Sequence, residues 1–321
     1  MRRTHLFGTC IILGLLGCSS VSEVPQVEIE NNFIKAKVYL PDPENGYYQA
    51  SRFDWSGIIS HLEFDNHTYF GQWFRKYDPK VHESVVGPVE EFDPLGYTEA
   101  GIGQEFLKIG VGMLKKPDES KYSFSKFYDI TNPGIWSVKN ESNRIEFNHE
   151  LKSEKYSYDY KKSLTLTEGR PELILHHTFT NTGSEAIITE VYDHNFFVID
   201  STNVGPGYLI KFPFSIVSDT TRLKGFAIIK DNELEFLKQL GLGEHVHLKS
   251  IRGFGTDPED YDFRIENRMT GAGVKITCDR PISKLAFWSA TKTVCPEPYI
   301  HLSVEPGDTF TWQITYTYYT I

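Results

Sequence analysis

The sequence predicts an all-β protein, a large antiparallel β-sandwich or barrel formed as one domain. Three observations carry this. Apolar and polar residues alternate in short runs from Val27 to the C-terminus, as they do when one strand face is buried and the other solvated. Gly, Asn and Pro turn signals separate the runs. Helix signals are few and no strand–helix alternation appears, which argues against an α/β fold. The 321 residues are 14% aromatic and 24% charged, with a net charge of −10. Such a chain can bury a large core, and its acidic balance argues against nucleic acid as a partner, since neutralising phosphates needs a basic face.

The first residues stand apart from the fold. MRRTHLFGTCIILGLLGCSS places Arg2 and Arg3 before a short apolar run, then small residues, in the manner of a secretory signal. The run from Leu6 to Leu16 is shorter than the roughly 20 residues a membrane-spanning helix needs. Its end, Leu15-Leu16-Gly17-Cys18, resembles the bacterial lipobox. That resemblance implies a signal peptide over 1–17 and a lipidated Cys18. A tether to residue 26 would follow, and the mature protein would be held to a membrane in the cell envelope, facing the periplasm or the surface. The other reading is an ordinary signal with a chance cysteine. Residues 27–321 then form the single domain. Cys278 and Cys295 remain, as a disulfide or as two buried thiols.

Along that domain, NNFIKAKVYL alternates as a strand, and YSYDYKKSLTLTEG alternates up to a Gly turn. PELILHHTFTNTGSEAIITEVYDHNFFVID reads as strand, Asn-Thr-Gly turn, strand, a hairpin by its turn chemistry. GAGVKITCDR, SKLAFWSA and TFTWQITYTYYTI are three further strands. NELEFLKQLG reads as a short helix or an edge segment. Two stretches, 47–73 and 85–114, are long, aromatic or Gly/Pro-punctuated, and predicted to be functional or mobile.

No nucleophile elbow, phosphate-binding loop, dinucleotide fingerprint or zinc-ligand spacing occurs, so the sequence implies neither metal nor cofactor. What remains is a set of charged groups among aromatics: Arg52, Asp54, Glu90, Glu91, His176, His177, His194, Asp260 and Glu297. Such a mixture suits a sugar, whose apolar ring faces lie on aromatic rings while charged groups bind its hydroxyls. The plainer account is an aromatic-rich sandwich core. Asp193-His194-Asn195 at the end of a strand is either a core histidine with satisfied partners or a proton-transfer group. His176 and His177 alternate faces, so at most one of them points at any site.

LILHHTFTNTGSEAIITEVYDHNFFVID resembles the central segment of the galactose mutarotase-like (aldose 1-epimerase) superfamily, in which a strand ends in Asn-His-x-Tyr-Phe. VCPEPYIHLSVEPGDTFTWQITYTY resembles its C-terminal mark, a Glu before Pro or Gln and a Pro-Gly turn into the last strand, here Glu297 and Pro306-Gly307. EDYDF resembles its Asp-x-x-Phe. The resemblance runs over most of 27–321 and implies the family's large β supersandwich and a monosaccharide or oligosaccharide substrate. It also implies anomer exchange without metal or cofactor. Glu297 would be the base and His194 the acid, protonated at rest beside Asp193 and facing Glu297 across the sugar. Arg52 and Asp260 would bind hydroxyls. The family's earlier His has no counterpart in GPVEEFDPLGYTEAG; His82, His67, Glu90 or Glu91 stands in its place. This points to a divergent branch with another sugar. A binding protein without turnover is one rival; a lyase, or a hydrolase pairing Glu90 or Glu91 with Glu297, is the other.

Overall fold

The computed structural model describes residues 24–321. The leader and Cys18 lie outside the described residues. Every strand pairing among the described residues is antiparallel. No helix among them is long and apolar enough to cross a membrane.

Two sheets form the sandwich. One has ten strands, with Glu172–Asn181, Thr309–Thr320 and Ala272–Cys278 at its centre. The other has five, in the order His245–Leu248, Lys284–Ala290, Thr293–Val304, Ile187–Phe196 and Gly87–Phe92. Aromatic rings from both interdigitate: Phe92 meets Tyr160 at 5.7 Å and Trp312 at 6.4 Å, and Phe197 meets Tyr316 at 6.1 Å. Each such fully buried ring contributes about 1.5–3 kcal/mol by leaving water.

The alternating runs form strands as predicted. Ile34–Tyr39 buries every second residue, and Tyr158–Leu166 and Thr309–Thr320 lie inside the ten-stranded sheet. Two expectations are corrected. The segments on either side of Asn-Thr-Gly are strands, but not a hairpin. Glu172–Asn181 pairs in the ten-stranded sheet, while Ile187–Phe196 pairs with Thr293–Val304 and Gly87–Phe92 in the other. The turn therefore carries the chain from one layer to the next. Buried Asn181 holds it, donating to the carbonyls of Glu185 at 2.9 Å and Val304 at 2.8 Å. NELEFLKQLG contains no helix: Glu233–Phe236 is a strand with Leu234 and Phe236 buried at period two, second from the edge of the ten-stranded sheet.

The two irregular stretches supply an edge strand of the five-stranded sheet, Gly87–Phe92, and, with their remaining parts, a cover over it. Tyr48, Phe53, Trp55, Val86, Phe106 and Leu114 join Phe196 and Cys295 in a second apolar cluster. That cluster lies on the face of the five-stranded sheet turned away from the ten-stranded one. The cover is incomplete, and the gap it leaves is a cavity. Cys278 and Cys295 are both free and buried. Cys278 borders the inter-sheet space, whereas Cys295 belongs to the cover cluster on the other side of the five-stranded sheet.

Candidate functional site

Strand alternation decides which residues reach the cavity, because successive side chains point to opposite faces. On Ile187–Phe196, Tyr192, His194 and Phe196 line a cavity of 630 Å³. Val191 and Asp193 point into the inter-sheet space instead. On Thr293–Val304, Glu297 and Tyr299 face the cavity, and Pro298 and Ile300 the interior. The register pairs Tyr192 with Tyr299; continued by two residues, it sets His194 opposite Glu297. His194 Nε2 lies 3.3 Å from Glu297 Oε1.

The His194 ring is fixed by its neighbours. It stacks on Phe196 at 3.8 Å between centroids and meets the edge of Phe53 at 5.6 Å. Trp288 closes the next side at 6.0 Å. Burial pushes the imidazole well below its usual 6.5, with Arg52 and His247 adding to the effect. Burial also pushes the Glu297 carboxyl up to about 8, against a smaller opposing pull from Arg52. At neutral pH the pair therefore holds one transferable proton between carboxyl and imidazole.

Arg52 reaches the same cavity from the cover. Its guanidinium lies over the rings of Phe53 and Phe124 at 4.3 and 4.1 Å. Its Nε donates to Glu91 Oε2 at 2.7 Å and its Nη2 to Tyr192 Oη at 3.0 Å. Tyr192 in turn donates to Glu91 at 2.5 Å, and Lys108 Nζ stands 3.5 Å from the same carboxylate. Glu91 is thus a buried anchor that aims Arg52, with its carboxylate held below its ordinary range. Burial opposes that shift, and Arg52 and Lys108 overcome it.

The structure brings together four of the nine residues singled out in the sequence, His194, Glu297, Arg52 and Glu91, while Asp54, Glu90, His176, His177 and Asp260 do not line this cavity. Glu90 precedes Glu91 on one strand and so faces the interior. There it pairs with Lys162 and accepts from His177 at 2.6 Å. Asp260 sits in a short turn, Pro258–Asp260, where its carboxylate accepts the Gly255 amide at 2.5 Å, and it does not line the cavity. The Asp-x-x-Phe pattern here places Phe263 in the core and uses the acid to close a turn. Asp193 does not face His194. It accepts from the Tyr316 hydroxyl on the opposite side of the sheet, so its charge does not promote an imidazolium. The resting proton accordingly sits on Glu297 rather than His194, and the two groups are neighbours rather than facing partners across a ring. A hydrolase pair has lost Glu90 to the interior, and Glu91 is tied on both oxygens.

His67 bonds to Asp200 at 3.0 Å and His82 packs against Phe124; neither lines the cavity. The further imidazoles at the cavity are His245 and His247, from a strand at the sheet's edge. The sequence signal was present in His-Val-His-Leu, whose period-two alternation puts both imidazoles on one face above buried Val246 and Leu248. Lys284, whose ammonium lies 4.3 Å from the Tyr299 ring, and Lys249 complete the polar wall. Among the described residues, no group of three His, Cys, Asp or Glu side chains is arranged to hold a metal ion.

No protein-family model matches the chain, and no curated protein matches its sequence. Solved structures do resemble it. An aldose epimerase homologue from C. elegans superposes with a TM-score of 0.58 at 14% identity, covering 93% of this chain and 99% of the other. A galactose mutarotase-like protein from Clostridium acetobutylicum gives 0.55 at 14% identity over 92% and 95%. A galactose mutarotase related enzyme from Lactobacillus acidophilus gives 0.53 at 14% over 92% and 97%. The chain has the galactose mutarotase-like supersandwich fold. At this identity the likeness carries the fold and no activity.

Proposed function

We propose that this protein is an aldose 1-epimerase-like isomerase, exchanging the anomers of a sugar by general acid/base ring opening. The observation that carries the reading is His194 Nε2 at 3.3 Å from Glu297 Oε1 on the wall of a 630 Å³ cavity. Ring opening takes a proton from the C1 hydroxyl and delivers one to the ring oxygen. Both oxygens are bonded to C1, so acid and base belong side by side. A pair sharing one proton supplies this: neutral His194 accepts from the hydroxyl while Glu297 donates to the ring oxygen. Ring closure on the other face of the aldehyde reverses both transfers, and the pair ends as it began. Half-buried Trp73 and Trp288 offer faces for the sugar ring, and Arg52 offers its remaining donors to hydroxyls.

Two-dimensional exchange NMR on a monosaccharide and oligosaccharide panel tests this. Acceleration over buffer is expected, reduced roughly 10²–10⁴-fold in His194→Ala and in Glu297→Gln. No acceleration for any sugar, in wild type as in the variants, sinks the reading; tight binding without exchange makes the protein a carbohydrate-binding module instead. Arg2, Arg3 and the lipobox-like Leu15–Cys18 further support a lipid anchor in the cell envelope, from which the enzyme would assist polysaccharide degradation. Labelling with radioactive palmitate, lost in Cys18→Ala, is the check on the anchor.

A further inference from the structure

We propose that the sugar this site acts on is the reducing end of an anionic oligosaccharide, carrying carboxylate or sulfate groups, with the units beyond the first lying in a second cavity. The inference rests on the epimerase reading for its chemistry and on the surroundings of the site for its substrate class. A second cavity, of 910 Å³, opens beside the first and shares Trp73, Glu83, His245 and Trp288 with it. Each cavity alone is within the range that holds a small ligand. A monosaccharide bound at His194 and Glu297 occupies the first and leaves the second empty. A chain leaving the first pocket passes over the two shared indoles, which pack edge to face at 5.3 Å and form one continuous aromatic wall between the cavities. Phe74 continues the aromatic wall.

The charge of this second cavity is opposite to that of the whole molecule. The chain carries −10, yet Arg75, Lys76 and Lys292 line the cavity. All three are exposed, and none has a carboxylate within 4.0 Å among the described residues. Its two carboxylates are engaged nearby: Glu244 accepts the Gly241 amide at 2.6 Å, and Glu83 lies 3.6 Å from His82. Uncommitted cations beside half-buried indoles match a polymer with apolar ring faces and regularly spaced anions. Neutral sugars would leave the three cations without partners.

The test measures anomer exchange at the reducing end of four probes: galactose, a neutral trisaccharide, an oligogalacturonate trimer and a sulfated trisaccharide. Binding of the same probes is followed by calorimetry. The proposal expects kcat/KM for at least one anionic trimer about tenfold above that for the neutral trimer, an advantage that shrinks as salt rises. The double variant Lys76→Gln, Lys292→Gln is expected to narrow that advantage to within about threefold by raising KM rather than lowering kcat. The two anionic arms distinguish a carboxylate from a sulfate requirement. Equal kcat/KM for neutral and anionic trimers, or an advantage untouched by the double variant, overturns the proposal while leaving the epimerase reading intact. Lysine-dependent binding of an anionic trimer without exchange of any probe supports the cavity assignment and overturns the epimerase reading. No binding and no exchange overturns both.

Discussion

Two imidazole–carboxylate pairs flank the five-stranded sheet, one on each side. On the cavity side His194 meets Glu297 at 3.3 Å; on the interior side His177 meets Glu90 at 2.6 Å. All four side chains are buried. The difference is Lys162, whose ammonium joins Glu90 and stands 3.9 Å from Asp54. Burial would push Glu90 up, but Lys162 and then His177 overcome it and hold the carboxyl below its ordinary range. On the cavity side the corresponding cation, Arg52, is tied to Glu91 and pulls on Glu297 only weakly; among the described residues no ammonium touches Glu297, and burial prevails there. The interior pair is thus a charged, closed knot. The cavity pair keeps a proton it can pass on and has a space in which to pass it. The same two residue types give a structural tie in one place and a candidate acid/base in the other, and the deciding factors are a third charge and access.

The knot is also built into the backbone. Gly57, at φ 75°, lets the chain pass Lys162 so closely that a Cβ would stand 2.7 Å from its Nζ. Removing the cation should therefore have the largest effect. Lys162→Met leaves Glu90 and Asp54 buried without it, and a loss of about 3–5 kcal/mol in unfolding free energy is expected from urea titration at pH 7. Exchange activity per folded molecule should stay within a few fold. A folded Lys162→Met protein with activity down a hundredfold would mean that the interior knot participates in the chemistry, and the contrast between the two pairs would fail.

The second effect is in pH. If Glu297 holds the working proton, kcat/KM stays level from about pH 6 to 7.5, because burial keeps His194 from titrating there. Above about 8 Glu297 loses the proton, and kcat/KM falls about tenfold per unit. Anomer exchange measured from pH 5 to 10 checks this. An acid limb near 6.5 with no alkaline loss would assign the proton to an ordinary imidazolium and reverse the roles.

What the sequence disclosed follows the same line. Strands were legible wherever one face is buried, as in Ile34–Tyr39, because burial writes a period of two. The partner of each strand was not. Asn-Thr-Gly has hairpin chemistry, but Asn181 uses its side chain to turn the chain into the other sheet. His194 and Glu297 were found by motif. Their adjacency was not, since it arises from a register between strands a hundred residues apart. Glu90 and Glu91 could have been told apart, because neighbours on a strand cannot share a face. Asp260 could not, since nothing local distinguishes an acid that closes a turn from one that binds a hydroxyl.

The smallest effect is expected one residue from the centre. Asp193 follows Tyr192 on the strand and points inward, where it shares a hydrogen bond with the Tyr316 hydroxyl, which also lies 2.8 Å from Asn195 Oδ1. Burial, then the charge on Glu90, pushes its carboxyl above the ordinary range. The folded state therefore keeps a proton that the unfolded chain releases near pH 4. Stability linked to this group is fully present below that pH and is lost as pH rises through the folded value. An amide has no such titration. Asp193→Asn should lie closest to wild type near pH 4 and gain on it progressively as pH rises toward 9 in urea unfolding, with the amide still hydrogen-bonded to Tyr316. Anomer exchange should change by no more than a few fold, because His194 is held by Phe196, Phe53 and Glu297 on the other face. A hundredfold loss in a stable Asp193→Asn protein would show that the interior acid sets the imidazole through the strand between them, and the two sides of the sheet would then be one site.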